Sequence, residues 1–362
     1  MLVYILDEYF NKKLVIDYYK SIIWNTRYTD SGDFEIYLPM LDETILDYIK
    51  INGFVYLNTD DTDLRIIEKI NISYNIEEGY MVIISGHDAK SILKKRCVNK
   101  LFKFSGALTS AIYNMIRSNI WNTSSTRESR RTLNILKARL DDGYYPAMGD
   151  NVKVQVLGDN LFEKTKELLE SQDFGMKFDF DHSDNKFFIT FFKGLNRTSS
   201  QNVNDRIVFS SNVGNLLEYT IELDSTEYKN VAFVLGEGEG SNRTIAWCGN
   251  TEYTRLERDE IVFDAENLSD DGGVITQEDY LLQLALSGES QLTNYKKKYN
   301  FDCKIYSDLF KFKKDFFVGD KIEINTKFKI NNSNTITATI TEVTESWNDE
   351  GYSCMPVLKF NS

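Results

Sequence analysis

Residues 32–38 read GDFEIYL, so Phe34, Ile36 and Leu38 alternate with Asp33, Glu35 and Tyr37. Period-two alternation puts three apolar side chains on one face of a pleated strand, the pattern of a half-buried antiparallel strand. Turn chemistry at Thr29-Asp30-Ser31-Gly32 precedes it, so residues 22–28 and 33–38 are expected to form a hairpin. Further strand signals lie at 2–6, 14–18, 54–57, 64–74 and 80–85, with a short helical segment at 41–49. Aromatic residues make up 13% of the chain, with 21 Tyr and 23 Phe, and these favour pleated surfaces and large interfaces. The three prolines, Pro39, Pro146 and Pro356, are too few for a Pro-rich linker.

After residue 87 the pattern changes. Asp88 reads as a helix N-cap, followed by Ala89, Ile92, Leu93 and Cys97 on one helical face. Leu108, Ile112, Met115, Ile116 and Ile120 mark a second helix, and the polar run 122–131 (NTSSTRESRR) reads as a loop. A strand is expected at 152–157, a helix at 161–171, and strands at 175–180 and 186–192 joined by the turn His182-Ser183-Asp184-Asn185. Strands at 217–223, 230–235, 244–248 and 254–264 follow. Thr276 opens a last helix, with Asp279 where a capping box usually has Glu or Gln, and with Leu281, Ala285, Gly288 and Leu292 on a shared face. From Lys304 the chain is strand again, with Ile322, Ile324, Phe328 and Ile330 on one face.

The two ends of the chain resemble each other. Gly32-Asp33-Phe34-Glu35-Ile36 has a counterpart in Gly319-Asp320-Lys321-Ile322-Glu323-Ile324. Ser73-Tyr74-Asn75 leads through an acidic turn to Gly79-Tyr80, and Ser346-Trp347-Asn348 leads through another to Gly351-Tyr352. Upstream, Ile67 and Ile70 match Ile340 and Val343, whereas Glu68 and Glu342 are one residue out of step. The expected fold is therefore mainly β with an α+β insert. Two related small β-barrels, at 1–100 and 301–362, bracket a mixed middle region at 101–300 that divides into 101–150 and 151–265. Barrel closure would remove the exposed edges of such short strands. Three such chains in a ring would present six barrel-like units, so a trimer could imitate six-fold symmetry.

Charge and cysteine usage narrow the function. Lys and Arg number 42 against 55 Asp and Glu, a net charge of −13, which is the wrong sign for gripping phosphates. Such a surface fits solubility, or a lumen through which DNA slides. Cys97, Cys248, Cys303 and Cys354 are far apart and form no CxxC pair, so buried free thiols are expected. The N-terminus, MLVYILDEYF, reads as a strand, with neither a signal peptide nor a membrane span.

Catalytic chemistry has little to draw on. His87 and His182 are the two histidines; neither sits in HExxH or near GxSxG, and both read as structural turn residues. A metal site could be drawn from His182, Asp181 and Asp184, without a supporting motif. Gly236-Glu237-Gly238-Glu239-Gly240 follows an apolar strand but lacks the Lys-Ser/Thr of a phosphate loop, and its glutamates repel anions; it reads as a flexible hairpin loop. The acid-rich run 259–271, ending Asp270-Asp271-Gly272, lacks calcium-loop spacing. No catalytic, cofactor-binding or metal-ligating residue is assigned, and no cofactor is expected.

Ser21-Ile22-Ile23-Trp24-Asn25-Thr26-Arg27-Tyr28, running into residues 31–39 (SGDFEIYLP), together with 83–93 (IISGHDAKSIL) and Asp315-Phe316-Phe317-Val318-Gly319-Asp320, resembles the tail-hub family. Its members are the tail-associated proteins of phages and phage-tail-like particles of Gram-positive hosts. The resemblance covers the N-terminal hundred or so residues well, the C-terminal strands moderately and the middle weakly. It implies a homotrimeric, non-enzymatic baseplate or tail-tip hub in a virion or phage-tail-like particle made in the bacterial cytoplasm. The implied partners are a tail tube or distal tail protein above, and tape-measure and tip or spike proteins. No sequence-specific nucleic acid and no stable membrane anchor is implied. Many relatives carry a C-terminal hydrolase or receptor-binding part, and this chain stops at Ser362, which argues against lytic activity. The alternatives are a tail-associated peptidoglycan hydrolase or a receptor- or carbohydrate-binding tip module. Within the hub reading, Trp24, Phe34, Ile36 and Leu38 are expected in a barrel core, and Gly32, Gly79, Gly319 and Gly351 in tight turns.

Overall fold

The fold comes from a computed structural model that describes residues 1–77, 79–120, 129–133, 135–138, 147–250, 252–265, 268–269, 272, 275–306, 309–330 and 333–360. Strands hold 47% of the described residues and helices 19%, so the class is mainly β, as the alternating patterns imply. The chain divides into two units, one made of Met1–Thr220 with Asp302–Phe360 and the other of Ile221–Phe301.

The first unit begins with β1 (Val3–Leu6), β2 (Lys12–Ile16), β3 (Ser21–Arg27), β4 (Asp33–Pro39), helix α1 (Ile45–Tyr48), β5 (Phe54–Leu57), β6 (Asp60–Asn75) and β7 (Gly79–Asp88). A mixed stretch follows: β8 (Phe102–Ala107), α2 (Leu108–Ile120), β9 (Leu136–Ala138), β10 (Asn151–Val156), α3 (Leu161–Glu170), β11 (Gly175–Asp181), β12 (Lys186–Phe192) and β13 (Val208–Ser210). β14 (Leu216–Asp224) carries the chain into the second unit, which holds β15 (Val231–Leu235), β16 (Ile245–Gly249), β17 (Glu260–Asp264) and α4 (Gln277–Leu292). β18 (Lys298–Ile305) returns it to the first, which ends with β19 (Lys321–Ile330), β20 (Ser333–Asn348) and β21 (Gly351–Lys359).

The expected hairpin is β3 and β4, paired from Ser21↔Tyr37 to Trp24↔Phe34. Ile22, Trp24, Phe34, Ile36 and Leu38 are buried together with Val3, Ile5, Val55, Val82 and Ile84. Each fully buried side chain of this size contributes about 2 kcal/mol, so the alternation fixes which face turns inward.

Among the described residues, thirteen strands share one sheet. Its order is β14-β18-β21-β20-β3-β4-β7-β6-β5-β1-β2, with β19 on β20 and β13 on β19. The expectation of two separate closed barrels is corrected here: no closed barrel is found among the described residues. The cause lies in β20, which is 16 residues long. Its first half pairs with β19, and its second half pairs with β3 from Glu342↔Arg27 to Asn348↔Ser21. Each end region therefore covers an edge of the other instead of closing on itself.

The hairpin half of the internal repeat is visible as strand order, whereas the match of residues 32–36 to 319–324 is corrected: the first segment lies in β4 and the second leads into β19, which hold different places in the two runs. β3-β4-β7-β6-β5 and β14-β18-β21-β20-β19 are two five-strand runs with corresponding connections around the hairpins β6–β7 and β20–β21. In the first hairpin Tyr74 faces Tyr80 and Asn75 faces Gly79; in the second Trp347 faces Tyr352 and Asn348 faces Gly351. The aromatic pairs lie 4.8 and 5.3 Å apart, and each Asn side chain accepts the backbone N–H two residues on, at 2.9 Å. Both glycines have positive φ, +75° and +111°, which a side chain would resist. Each hairpin also carries a bulge, at Glu68 and at Thr341. Glu68 lies six residues before Tyr74, and Thr341 six before Trp347. The mismatch between Glu68 and Glu342 in the sequence is thereby resolved, because the equivalent of Glu68 is Thr341.

Around α2 and α3 the core is aromatic and aliphatic, including Leu108, Ile112, Met115, Ile116, Leu161, Phe162, Leu169, Phe178 and Phe187. Asn160 caps α3, its Oδ1 accepting from Phe162 N at 2.9 Å. β11 and β12 are antiparallel, and β9, which the sequence pattern did not reveal, adds to β12 in parallel. In the second unit β15 is antiparallel to β16 and parallel to β17. Thr276 caps α4 as expected, accepting from Asp279 N at 3.2 Å and donating to Asp279 Oδ2 at 2.7 Å. The buried face of α4 is Tyr280, Leu284 and Gly288, a slight rotation from the expected Leu281, Ala285, Gly288 and Leu292, of which Leu281, Ala285 and Leu292 are partly buried against the same core. The strand expected at 254–264 starts only at Glu260, after a 3-10 turn at Arg255–Glu257. Residues 122–128, Asp270, Asp271 and the side chains of Phe328 and Ile330 lie outside the described residues.

Candidate functional site

The motif residues converge where β3, β4, β6 and β20 meet, beside a cavity of about 490 Å³. Arg27, the last residue of β3, makes a bidentate pair with Glu342 of β20, at 2.7 Å from Nε and 3.2 Å from the terminal nitrogen, and also pairs with Asp33. Residues 315 positions apart are thereby locked together. Arg65, 1% exposed, stacks 4.0 Å above the Trp24 ring and donates to the carbonyls of Asn25 and Asp33 at 2.8 and 2.6 Å. It also donates to Thr26 Oγ1 at 3.4 Å and pairs with Asp63 at 3.1 Å, and Asp63 accepts Trp24 Nε1–H at 2.8 Å. Burial alone would raise the Asp63 carboxyl pKa, but Arg65 and Lys313 beside it hold it well below the usual carboxylate range.

Asp88 binds the turn that joins β3 to β4. It accepts Ser31 Oγ–H and Gly32 N–H, both at 2.9 Å, and caps the 3-10 helix Ala89–Lys95 through Lys90 N. Gly32 is required for close approach rather than for a positive φ, since a Cβ there would lie 2.2 Å from the Asn25 carbonyl oxygen. Lys90 is buried, donates to the Arg27 carbonyl at 2.8 Å, and burial pushes its ammonium pKa down.

Tyr28 is the second anchor. Its ring lies against Gly175 and Gly319, where a Cβ would come within 2.3 Å of the ring, and its hydroxyl donates to Asp173 O at 2.8 Å. Burial pushes the phenol pKa well up, so it stays protonated as a donor. Next to it Asp320, of the D-F-x-x-G-D run, accepts from Arg197 Nε at 2.6 Å, Leu195 N at 2.7 Å and Phe317 N at 3.0 Å. No local pattern marks Arg65, Asp63, Arg197 or Glu342 as partners: Arg27–Glu342 and Arg197–Asp320 join distant parts of the chain, and Asp63 and Arg65, two residues apart on β6, take their meaning from Trp24 and the carbonyls of Asn25 and Asp33.

These charges are spent on each other and on backbone carbonyls. The arrangement clamps one element to the next. His87 is in β7 rather than in a turn, with Nδ1 2.6 Å from Glu68 Oε2 at the bulge. His182 is in a turn, with Nε2 2.8 Å from Asp61 O, and Asp181 accepts from Ser183 N and Oγ at 2.8 and 2.7 Å. Among the described residues no group of three or more His, Cys, Asp or Glu could hold a metal ion. Cys248, Cys303 and Cys354 are buried free thiols, whereas Cys97 is exposed, contrary to expectation. Burial pushes the Cys354 thiol up to about 12, far from a thiolate at neutral pH. Gly236–Gly240 lies in the loop joining β15 to β16, held by Glu237 N–H on Tyr280 Oη at 2.8 Å.

The family described as Siphovirus ReqiPepy6 Gp37-like protein matches residues 2–358, nearly the whole chain. The chain belongs to this family. Among solved structures it is similar to the prophage MuSo2 43 kDa tail protein from Shewanella oneidensis, at 10% identity and TM-score 0.58, covering 99% of this chain and 98% of that one. The tail protein from Neisseria meningitidis MC58 gives 10% identity and 0.55, covering 99% and 96%. Prophage tail protein gp18 from Listeria monocytogenes EGD-e gives 10% and 0.51, covering 100% and 95%. At such identities the shared property is the fold, here over the full length of each partner. No curated protein sequence matches.

Proposed function

We propose that this chain is a non-enzymatic structural hub of a phage-type tail, working as a homotrimer in a virion or phage-tail-like particle. Three copies would place six related five-strand runs around one axis. That matches a six-fold tube on one side to a three-fold tip on the other. The observation that carries the reading is the duplicated strand order with its matching hairpins and bulges. Family membership and a fold shared end to end with prophage tail proteins support the place in the tail. The charge network at the junction supports a mechanical role, since it holds the two related runs rigidly together. A tail tube or distal tail protein is the partner above, with tape-measure and tip or spike proteins at the axis and below. The net charge of −13 suits a lumen that DNA crosses without adhering.

Gold-labelled antibody against this chain, applied to purified tail particles, is expected to mark the single distal end of each tail. Label along the tube or on the head, or particles that bear none, would overturn the reading.

A further inference from the structure

We infer that the free edge of β6, from Lys69 to Asn75, is the seam of the ring and pairs antiparallel with β14 of a neighbouring copy. The inference rests on the trimer reading and assigns its contact.

The intrachain joint supplies the template. In the second run, residues 342–348 of β20 carry β21 on one edge and β3 on the other. Their equivalents in the first run are 69–75 of β6, placed by the hairpin and by the bulge. There β7 occupies one edge, while pairing with β5 ends at Ile66. Among the described residues no strand covers the other edge of 69–75. The strand that should cover it is the equivalent of β3, which is β14, the first strand of the second run. β14 itself has one neighbour among the described residues, β18.

Exposure follows the same asymmetry. Glu345 is buried and Trp347 half-buried, whereas their equivalents Ile72 and Tyr74 are 47% and 63% exposed, and Ile76 beyond them is 88% exposed. On β14, Leu217 and Leu223 are 53% and 58% exposed. Uncovered edges with apolar side chains invite pairing with another chain. A second copy offers both edges at once.

Charge gives the register. Arg27 ends β3 and faces Glu342. Lys69 stands where Glu342 does, and Asp224 ends β14. The pair is the same with signs exchanged, so a neighbour's β14 is accepted there and a neighbour's β3, with Arg27 against Lys69, is repelled. This alignment sets Lys69 opposite Asp224, Asn71 opposite Glu222, and Ser73 opposite Thr220. Directly opposed residues bring Cβ atoms to about 4.5–5.5 Å, close enough for a disulfide to report the register.

The test uses the full chain with Cys97→Ser. Asn71→Cys is combined in turn with Glu218→Cys, Thr220→Cys or Glu222→Cys, and each is oxidised mildly while an unoxidised sample is weighed by light scattering. Asn71→Cys with Glu222→Cys is expected to link into covalent trimers at several-fold the yield of either single variant. A trimer that links in none of the three combinations would overturn the seam and leave the hub reading standing. A monomer in solution without links would remove both. Lys69→Glu is expected to lower the trimer fraction at least several-fold, with Asp224→Lys restoring it; a loss that Asp224→Lys does not repair would refute the pairing.

Discussion

Arg65 carries a full charge at 1% exposure, which is tolerable only because Asp63, two carbonyls and the Trp24 ring surround it. Removing one member of such a buried pair costs about 3 kcal/mol, because the other charge is left without its partner. Arg65→Met should therefore destabilise the chain by roughly that amount in urea unfolding, and Asp63→Asn somewhat less, since its amide oxygen can still accept from Trp24. The sign of the pH dependence follows from the lowered Asp63 pKa. An aspartate depressed in the fold stabilises above its unfolded pKa of about 3.9, and that stabilisation is lost as pH falls through the folded value. The stability gap between the unsubstituted chain and Asp63→Asn should be full near neutral pH and shrink steadily in acid below about pH 4. A gap that widens in acid would contradict the assignment. Little of this junction was legible in the sequence. Tyr28, Gly32, Asp88, Gly319 and Asp320 stood out as motif residues, but Arg65, Asp63 and Glu342 are ordinary charges whose meaning comes from what the sheet brings beside them.

Single elements were more legible, because their causes are local. The alternation in β4, the cap at Thr276 and the Gly-closed hairpins each follow from a few adjacent residues. What local pattern could not supply was pairing between distant strands. The sheet continues through β20 to β3, across more than three hundred residues, and the expectation of two closed barrels failed on that ladder. Two predictions belong at this scale. Gly351→Ala places a side chain at φ +111° and should cost about 1–3 kcal/mol, read by thermal unfolding. Arg27 and Glu342 are half-buried and bidentate, so a double-mutant cycle with Arg27→Ala and Glu342→Ala should give a coupling of about 1 kcal/mol or more, above that of an exposed pair. Strict additivity would show that this clamp does not hold β3 to β20.

For the molecule as a whole, the repeat that was faint in sequence is clear in strand order, and it is the reason to expect a ring. Each chain presents two related runs, so in the proposed trimer three chains would complete a pseudo-six-fold circuit, with one kind of joint within the chain and its counterpart between chains. The hub account depends most directly on the number of chains in that ring. Native mass spectrometry of the full chain is expected to give a particle of three times the 42.0 kDa chain mass, with class averages showing six similar lobes around its axis. A particle that stays at one or two chain masses at every concentration, or a ring of six chains, would contradict it.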